Sequence, residues 1–177
     1  KTCQIHVGPV CIGGTAPVSV QSMTKTDTRD ARATLAQIRL LEKAGCEIIR
    51  VAVPDEAAAA SLPAIVKNSR IPVIADIHFH YRLALKAIAA GVAGLRLNPG
   101  NIGSRQKIAA VLEQARDRGI SIRIGVNSGS LEKDLRKQYG GPTPEALVES
   151  ALRSIELFEH LDFTSIKVSI KSPDVVT

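Results

Sequence analysis

Tryptophan is missing from this chain, and aromatic residues make up only 3% of it. A protein that holds single-stranded nucleic acid by stacking bases on rings needs more aromatic surface than that, so no nucleic-acid partner is expected. No run of uncharged apolar residues is long enough to cross a bilayer, so no membrane partner is expected either. The opening Lys1-Thr2-Cys3-Gln4 has neither an apolar signal-like stretch nor an initiator Met, which points to a trimmed chain or a piece of something longer. Cysteine is scarce. Cys3, Cys11 and Cys46 show no metal-ligand spacing and read as reduced thiols of a cytoplasmic protein. Cys3 and Cys11 could face each other across a hairpin, but no iron–sulfur cluster can be built from these three. Carboxylates are outnumbered: 17 Asp and Glu stand against 23 Lys and Arg, giving a net charge of +6. That balance suits an anionic partner.

What is present is an alternation. A length of 177 residues, 45% of them hydrophobic, fits one domain with a full-sized core. Gln4–Val7 and Val10–Ile12 flank Gly8-Pro9 and predict a small hairpin. Strands are then expected at Val18–Met23, Glu47–Val53, Val73–Ile77, Ala93–Leu97, Ile120–Val126 and Phe163–Ile170. Helices are expected at Arg29–Ala44, Asp55–Lys67, Tyr81–Ala90, Ser104–Arg118 and from the Thr143 cap to about Leu161. Pro63 predicts a kink or early break in the second of these. Such an order gives a parallel sheet covered by helices.

Four of the strands carry a cation in their middle: Arg50, Arg96, Arg123 and Lys167. Side chains alternate faces along a strand. Leu95 and Leu97 therefore oppose Arg96 and Asn98; Ile122, Ile124 and Val126 oppose Arg123, Gly125 and Asn127; Ile166, Val168 and Ile170 oppose Lys167, Ser169 and Lys171. A doubly wound open sheet would make both faces apolar, whereas a closed (β/α) barrel keeps one face inside, where polar groups can line a site. The basic face favours the TIM-type barrel. A full barrel has eight strands and about 250 residues, so six strands predict one truncated after the sixth, a single incomplete domain over residues 1–177. Like charges gathered on an inner face are costly unless an anion joins them, so the wall predicts an anion site.

Several motifs could add chemistry. Asp76 and His78 share the inner face at the end of the third strand, and His78-Phe79-His80 offers a His-x-His pair. Asp76, His78 and His80 together would suit a metal-dependent barrel hydrolase. Asn98–Ser104 and Asn127–Ser130 are loops rich in Gly, Asn and Ser; they read equally well as phosphate cradles and as ordinary turns. Ser130-Leu-Glu-Lys133 reads as a helix cap. Gln21-Ser-Met23-Thr24 ends the first strand with polar groups, followed by a polar loop through Lys25, Asp27, Thr28 and Arg29. His6 and His160 fall on the hairpin and near a helix end, with no chemistry assigned. A non-catalytic phosphate-binding module remains an alternative.

Six motifs carry a family resemblance: Val-Gln-Ser-Met-Thr (20–24), Ile-Arg-Val-Ala-Val-Pro (49–54), Ala-Asp-Ile-His-Phe (75–79), Leu-Arg-Leu-Asn-Pro-Gly-Asn-Ile-Gly (95–103), Ile-Arg-Ile-Gly-Val-Asn-Ser-Gly-Ser-Leu-Glu-Lys (122–133) and Lys-Val-Ser-Ile-Lys-Ser-Pro-Asp-Val (167–175). In this order the chain resembles the bacterial 4-hydroxy-3-methylbut-2-enyl diphosphate synthases of non-mevalonate isoprenoid synthesis. The resemblance implies a barrel that binds methylerythritol cyclodiphosphate, with Arg50, Arg96, Arg123 and Lys167 on the diphosphate, Asn98, Asn127 and Ser169 as polar contacts, and Asp76 and His78 in the same cavity. It also implies a [4Fe-4S] cluster on a C-terminal domain, flavodoxin or ferredoxin as electron donor, and a homodimer of the full-length protein. None of Cys3, Cys11 or Cys46 matches a cluster ligand. This segment alone is expected to bind diphosphates weakly and to turn nothing over.

Overall fold

The computed structural model describes residues 2–175 and 177. Two short strands, β1 (Ile5–Val7) and β2 (Val10–Ile12), form the antiparallel hairpin. Six parallel strands follow in sequential order: β3 (Gln21–Met23), β4 (Ile48–Ala52), β5 (Val73–Ile77), β6 (Gly94–Leu97), β7 (Ser121–Asn127) and β8 (Ile166–Lys171). The sheet curls into half a barrel, with β3 and β8 as its outer strands. The expected fold is thus observed.

The helices are α1 (Ala31–Lys43), α2 (Glu56–Asn68), α3 (Tyr81–Ala89), the one-turn α4 (Pro99–Ile102), α5 (Arg105–Asp117), α6 (Lys133–Tyr139) and α7 (Pro144–Glu159). Three begin as their sequences dictate. Asp30, Asp55 and Thr143 each accept a hydrogen bond from the backbone N–H three residues on, at 2.9, 2.9 and 3.3 Å, satisfying a donor that the first turn leaves orphaned. The break expected at Pro63 does not occur: α2 runs through it, because Ala58, Ala59, Leu62 and Ile65 are buried on both sides of the proline. The first barrel strand is shorter than expected. Val18 and Val20 are exposed outside β3, and the Val20 N–H goes to the Glu47 carboxylate at 2.7 Å. Residues 133–139, where a helix cap was read at Ser130-Leu-Glu-Lys133 but no helix bounds were given, form α6, with Leu135 fully buried.

The core lies between sheet and helices. Ile49, Val51, Ala75, Ile77, Leu95, Leu97, Ile122 and Ile124 point outward into one apolar cluster with helix residues such as Leu62, Leu83, Leu112 and Phe158. A second cluster occupies the inner face at the N-terminal ends of the strands, where Ile48 and Ile74 meet Val7 of the hairpin, with Val10, Ile12 and Ala93 around them. The hairpin thus plugs that end, and its turn brings Gly8 against Pro72 and Ala93. Cys11 pairs with His6 across it, its Sγ 3.2 Å from Nε2, so Cys11 does not face Cys3.

Candidate anion-binding site

The cationic residues fall where strand parity puts them. Backbone register aligns Asp76, Arg96, Arg123 and Lys167 in one row across four adjacent strands, with Arg50 level with Ile74 and Met23 one row closer to the N-terminal end. Above this row, toward the C-terminal ends of the strands, opens a cavity of about 880 Å³. Its wall includes Arg50, Arg96, Arg123, Asp76, His78 and Asn127.

Asp76 organises the wall. It is almost fully buried, and its carboxylate lies 3.4 Å from Arg50 Nε, 3.3 Å from Arg96 Nη1 and 3.3 Å from His78 Nε2. Arg50 also rests its guanidinium against Met23 Sδ, 3.3 and 3.2 Å from Nε and Nη2. One carboxylate therefore serves two guanidinium groups, and Arg123 has no ion-pair partner among the described residues within 4.0 Å. Burial, and then the neighbouring charges of Arg50 and Arg96, hold the Arg123 pKa below the usual guanidinium range despite the attraction of Asp76. The wall carries uncompensated positive charge, an arrangement stabilised by an added anion.

The other expected residues divide. Asn127 and Ser169 line the cavity, as do Asn101 and Lys171, which sequence reasoning had not assigned to the site. Parity already placed Lys171 on the inner face; Asn101 arrives only because α4 turns the chain back over the strand ends. Asn98 does not line the cavity. It is buried, its Oδ1 accepts from Gly100 N at 3.2 Å and its Nδ2 donates to Ser130 Oγ at 3.0 Å, so it ties the loop after β6 to the loop after β7. Ser130 is correspondingly not the cap of α6; Glu132 occupies that position and accepts from the Ser150 hydroxyl at 2.7 and 3.0 Å. Lys167 lies below the cavity mouth, with Nζ 3.3 Å from Ser121 Oγ, and burial followed by the charge of Arg123 lowers its pKa to about 8.

His80 sits at the start of α3, in a separate rim cavity with Phe79 and Tyr81. Among the described residues no group of three His, Cys, Asp or Glu side chains stands together as a metal site. The donor set of a hydrolase is therefore not assembled, since Asp76 is engaged by arginines. The cysteines do not fit an iron–sulfur cluster either. Cys3 is exposed, Cys11 pairs with His6, and buried Cys46 donates to the Ile48 carbonyl at 3.1 Å. None of the three lines the cavity.

Among known proteins, the chain matches the GcpE TIM-barrel domain over residues 2–177. It is 59% identical over 172 residues to a 4-hydroxy-3-methylbut-2-en-1-yl diphosphate synthase (flavodoxin) from Azotobacter vinelandii, covering 97% of this chain and 46% of that protein. Proteins of the same name from Thermodesulfovibrio yellowstonii and Geobacter sulfurreducens are each 61% identical, covering 99% of this chain and 50% of theirs. The chain spans about half the length of these relatives. Of solved structures, the Yersinia pestis dihydropteroate synthase superposes with a TM-score of 0.62 at 14% identity, over 93% of this chain and 61% of that one. At that identity the likeness concerns the barrel fold alone.

Proposed function

The chain belongs to the GcpE TIM-barrel family, and on that premise we propose that it is the substrate-binding barrel of a 4-hydroxy-3-methylbut-2-enyl diphosphate synthase. The observation that carries the reading is the imbalance of the cavity wall: Arg50, Arg96 and Arg123 line it, and Asp76 pairs with the first two only. Arg96 and Arg123 hold the diphosphate of methylerythritol cyclodiphosphate by charge-assisted hydrogen bonds. Arg50 closes the lower side, and Asn127 and Ser169 donate to the remaining oxygens; Lys167, expected on the anion, does not line the cavity and turns to Ser121. Asp76 fixes the directions of Arg50 and Arg96, and His78 lines the cavity with its Nε2 3.3 Å from Asp76.

Reductive opening of this ring takes two electrons and releases water. The cysteines here do not fit the [4Fe-4S] cluster that supplies the electrons in this reading, so the barrel's part is to bind and orient. The full-length enzyme takes its electrons from flavodoxin or ferredoxin and works as a cytoplasmic homodimer. No helix among the described residues is long and apolar enough to cross a membrane.

The test is calorimetric titration of methylerythritol cyclodiphosphate into the full-length protein without reductant. Arg96→Ala is expected to weaken binding by roughly 1.5–3 kcal/mol, the range for a hydrogen bond to a charged group. Unchanged affinity removes Arg96 from the site and the reading with it.

A further inference from the structure

Arg96 and Arg123 face each other directly on neighbouring strands. Two guanidinium groups in that relation repel unless their side chains diverge. Arg96 leans across β7, one inward position further along, where the residue is Gly125. A Cβ built on Gly125 would lie 2.6 Å from both Nε and Nη2 of Arg96 and 2.9 Å from Cζ. Carbon and nitrogen do not approach so closely without displacement. The clash is with the guanidinium itself, the far end of a flexible side chain, so an added Cβ displaces the group whose Nη1 lies 3.3 Å from Asp76.

We infer that Gly125 is a positioning residue for anion binding: the missing side chain is the space that lets Arg96 lie against β7, bonded to Asp76. Gly125 is not in a left-handed backbone conformation, so no turn geometry requires glycine there. Its Cα partner Ser169 lines the cavity, which places the substitution site beside the proposed ligand. This inference rests on the diphosphate-binding reading above.

The test is a cycle in the full-length protein: wild type, Gly125→Ala, Arg96→Ala and the double variant, each titrated with methylerythritol cyclodiphosphate without reductant. Gly125→Ala is expected to weaken binding about 10-fold or more when Arg96 is present, comparable to losing a charged hydrogen bond. In the Arg96→Ala background it is expected to add less than about 2-fold, since the clashing group is gone. An equal loss in both backgrounds, or no loss with Arg96 present, overturns the inference. Loss in Arg96→Ala without loss in Gly125→Ala keeps the binding reading and removes this one; no loss in either variant removes both. Should Gly125→Ala not fold, Arg96→Lys/Gly125→Ala decides, because a lysine lacks the planar group. Recovery of soluble protein that binds like Arg96→Lys alone supports the inference, and continued failure to fold overturns it.

Discussion

The inner face of the sheet changes character along its length. At the N-terminal ends of the strands it is dry: Ile48 and Ile74 pack on Val7 of the hairpin, all three essentially inaccessible to solvent. One or two inward residues further on it is wet and basic, with Arg50, Asp76, Arg96 and Arg123 around an open cavity. Both halves use the same strands and the same parity. The difference shows how one face can be half core and half site, with the hairpin supplying the apolar contacts that the inner face would otherwise lack at the closed end.

Substitutions should separate the two halves. Ile74→Ala, at the closed end, is expected to cost about 2–5 kcal/mol of stability in urea unfolding, the range for emptying a buried aliphatic site, while leaving diphosphate affinity per folded molecule unchanged. A parallel loss of affinity would show that the plug and the site are coupled. Lys167→Met probes the boundary. The Lys167 pKa is about 8 in the fold against an ordinary lysine value of 10.5, so between these values the folded chain binds fewer protons than the unfolded one, and stability from this group rises with pH. Below pH 8 its charge is a cost. Lys167→Met is therefore expected to be more stable than wild type by about 1–2 kcal/mol at pH 7, with the advantage shrinking as pH rises from 8 and vanishing by about 10.5. An advantage independent of pH would place the effect in packing. The smallest effect is expected at Thr28, buried in the segment between β3 and α1 with an Oγ1 that has no hydrogen-bond partner among the described residues. Thr28→Val should leave stability unchanged or raise it by up to about 1 kcal/mol, as measured by thermal melting, since it removes a buried hydroxyl that has no partner.

Much of this contrast was legible in the sequence because it depends on parity, which a strand fixes locally. The alternation around Arg96 and Arg123 placed both guanidinium groups on the cavity side, and Val73–Ile77 is found with the expected bounds. What was not legible depends on distance. Nothing local to Asn98 announces that Ser130, 32 residues away, will take its amide. Nor does the sequence around Lys167 reveal that its ammonium reaches down to Ser121 instead of up to the mouth. The helix at 133–139 had a fainter signal in the Leu131 and Leu135 spacing, which the Gly- and Ser-rich loop before it obscured. The early break expected at Pro63 does not occur, because the cost of a proline in a helix is local, while the burial that offsets it comes from neighbouring elements.

The central claim is that the basic wall is unfavourable by itself and becomes favourable on binding an anion. Arg123 tests it most directly, because burial and two neighbouring cations act against its charge. Thermal unfolding of ligand-free Arg123→Met and calorimetric titration of the same protein with methylerythritol cyclodiphosphate make one paired measurement. The account predicts a melting temperature at or above that of wild type together with an affinity at least about 10-fold weaker. A lower melting temperature with unchanged affinity would contradict it, and would make Arg123 a structural cation instead of part of an anion site.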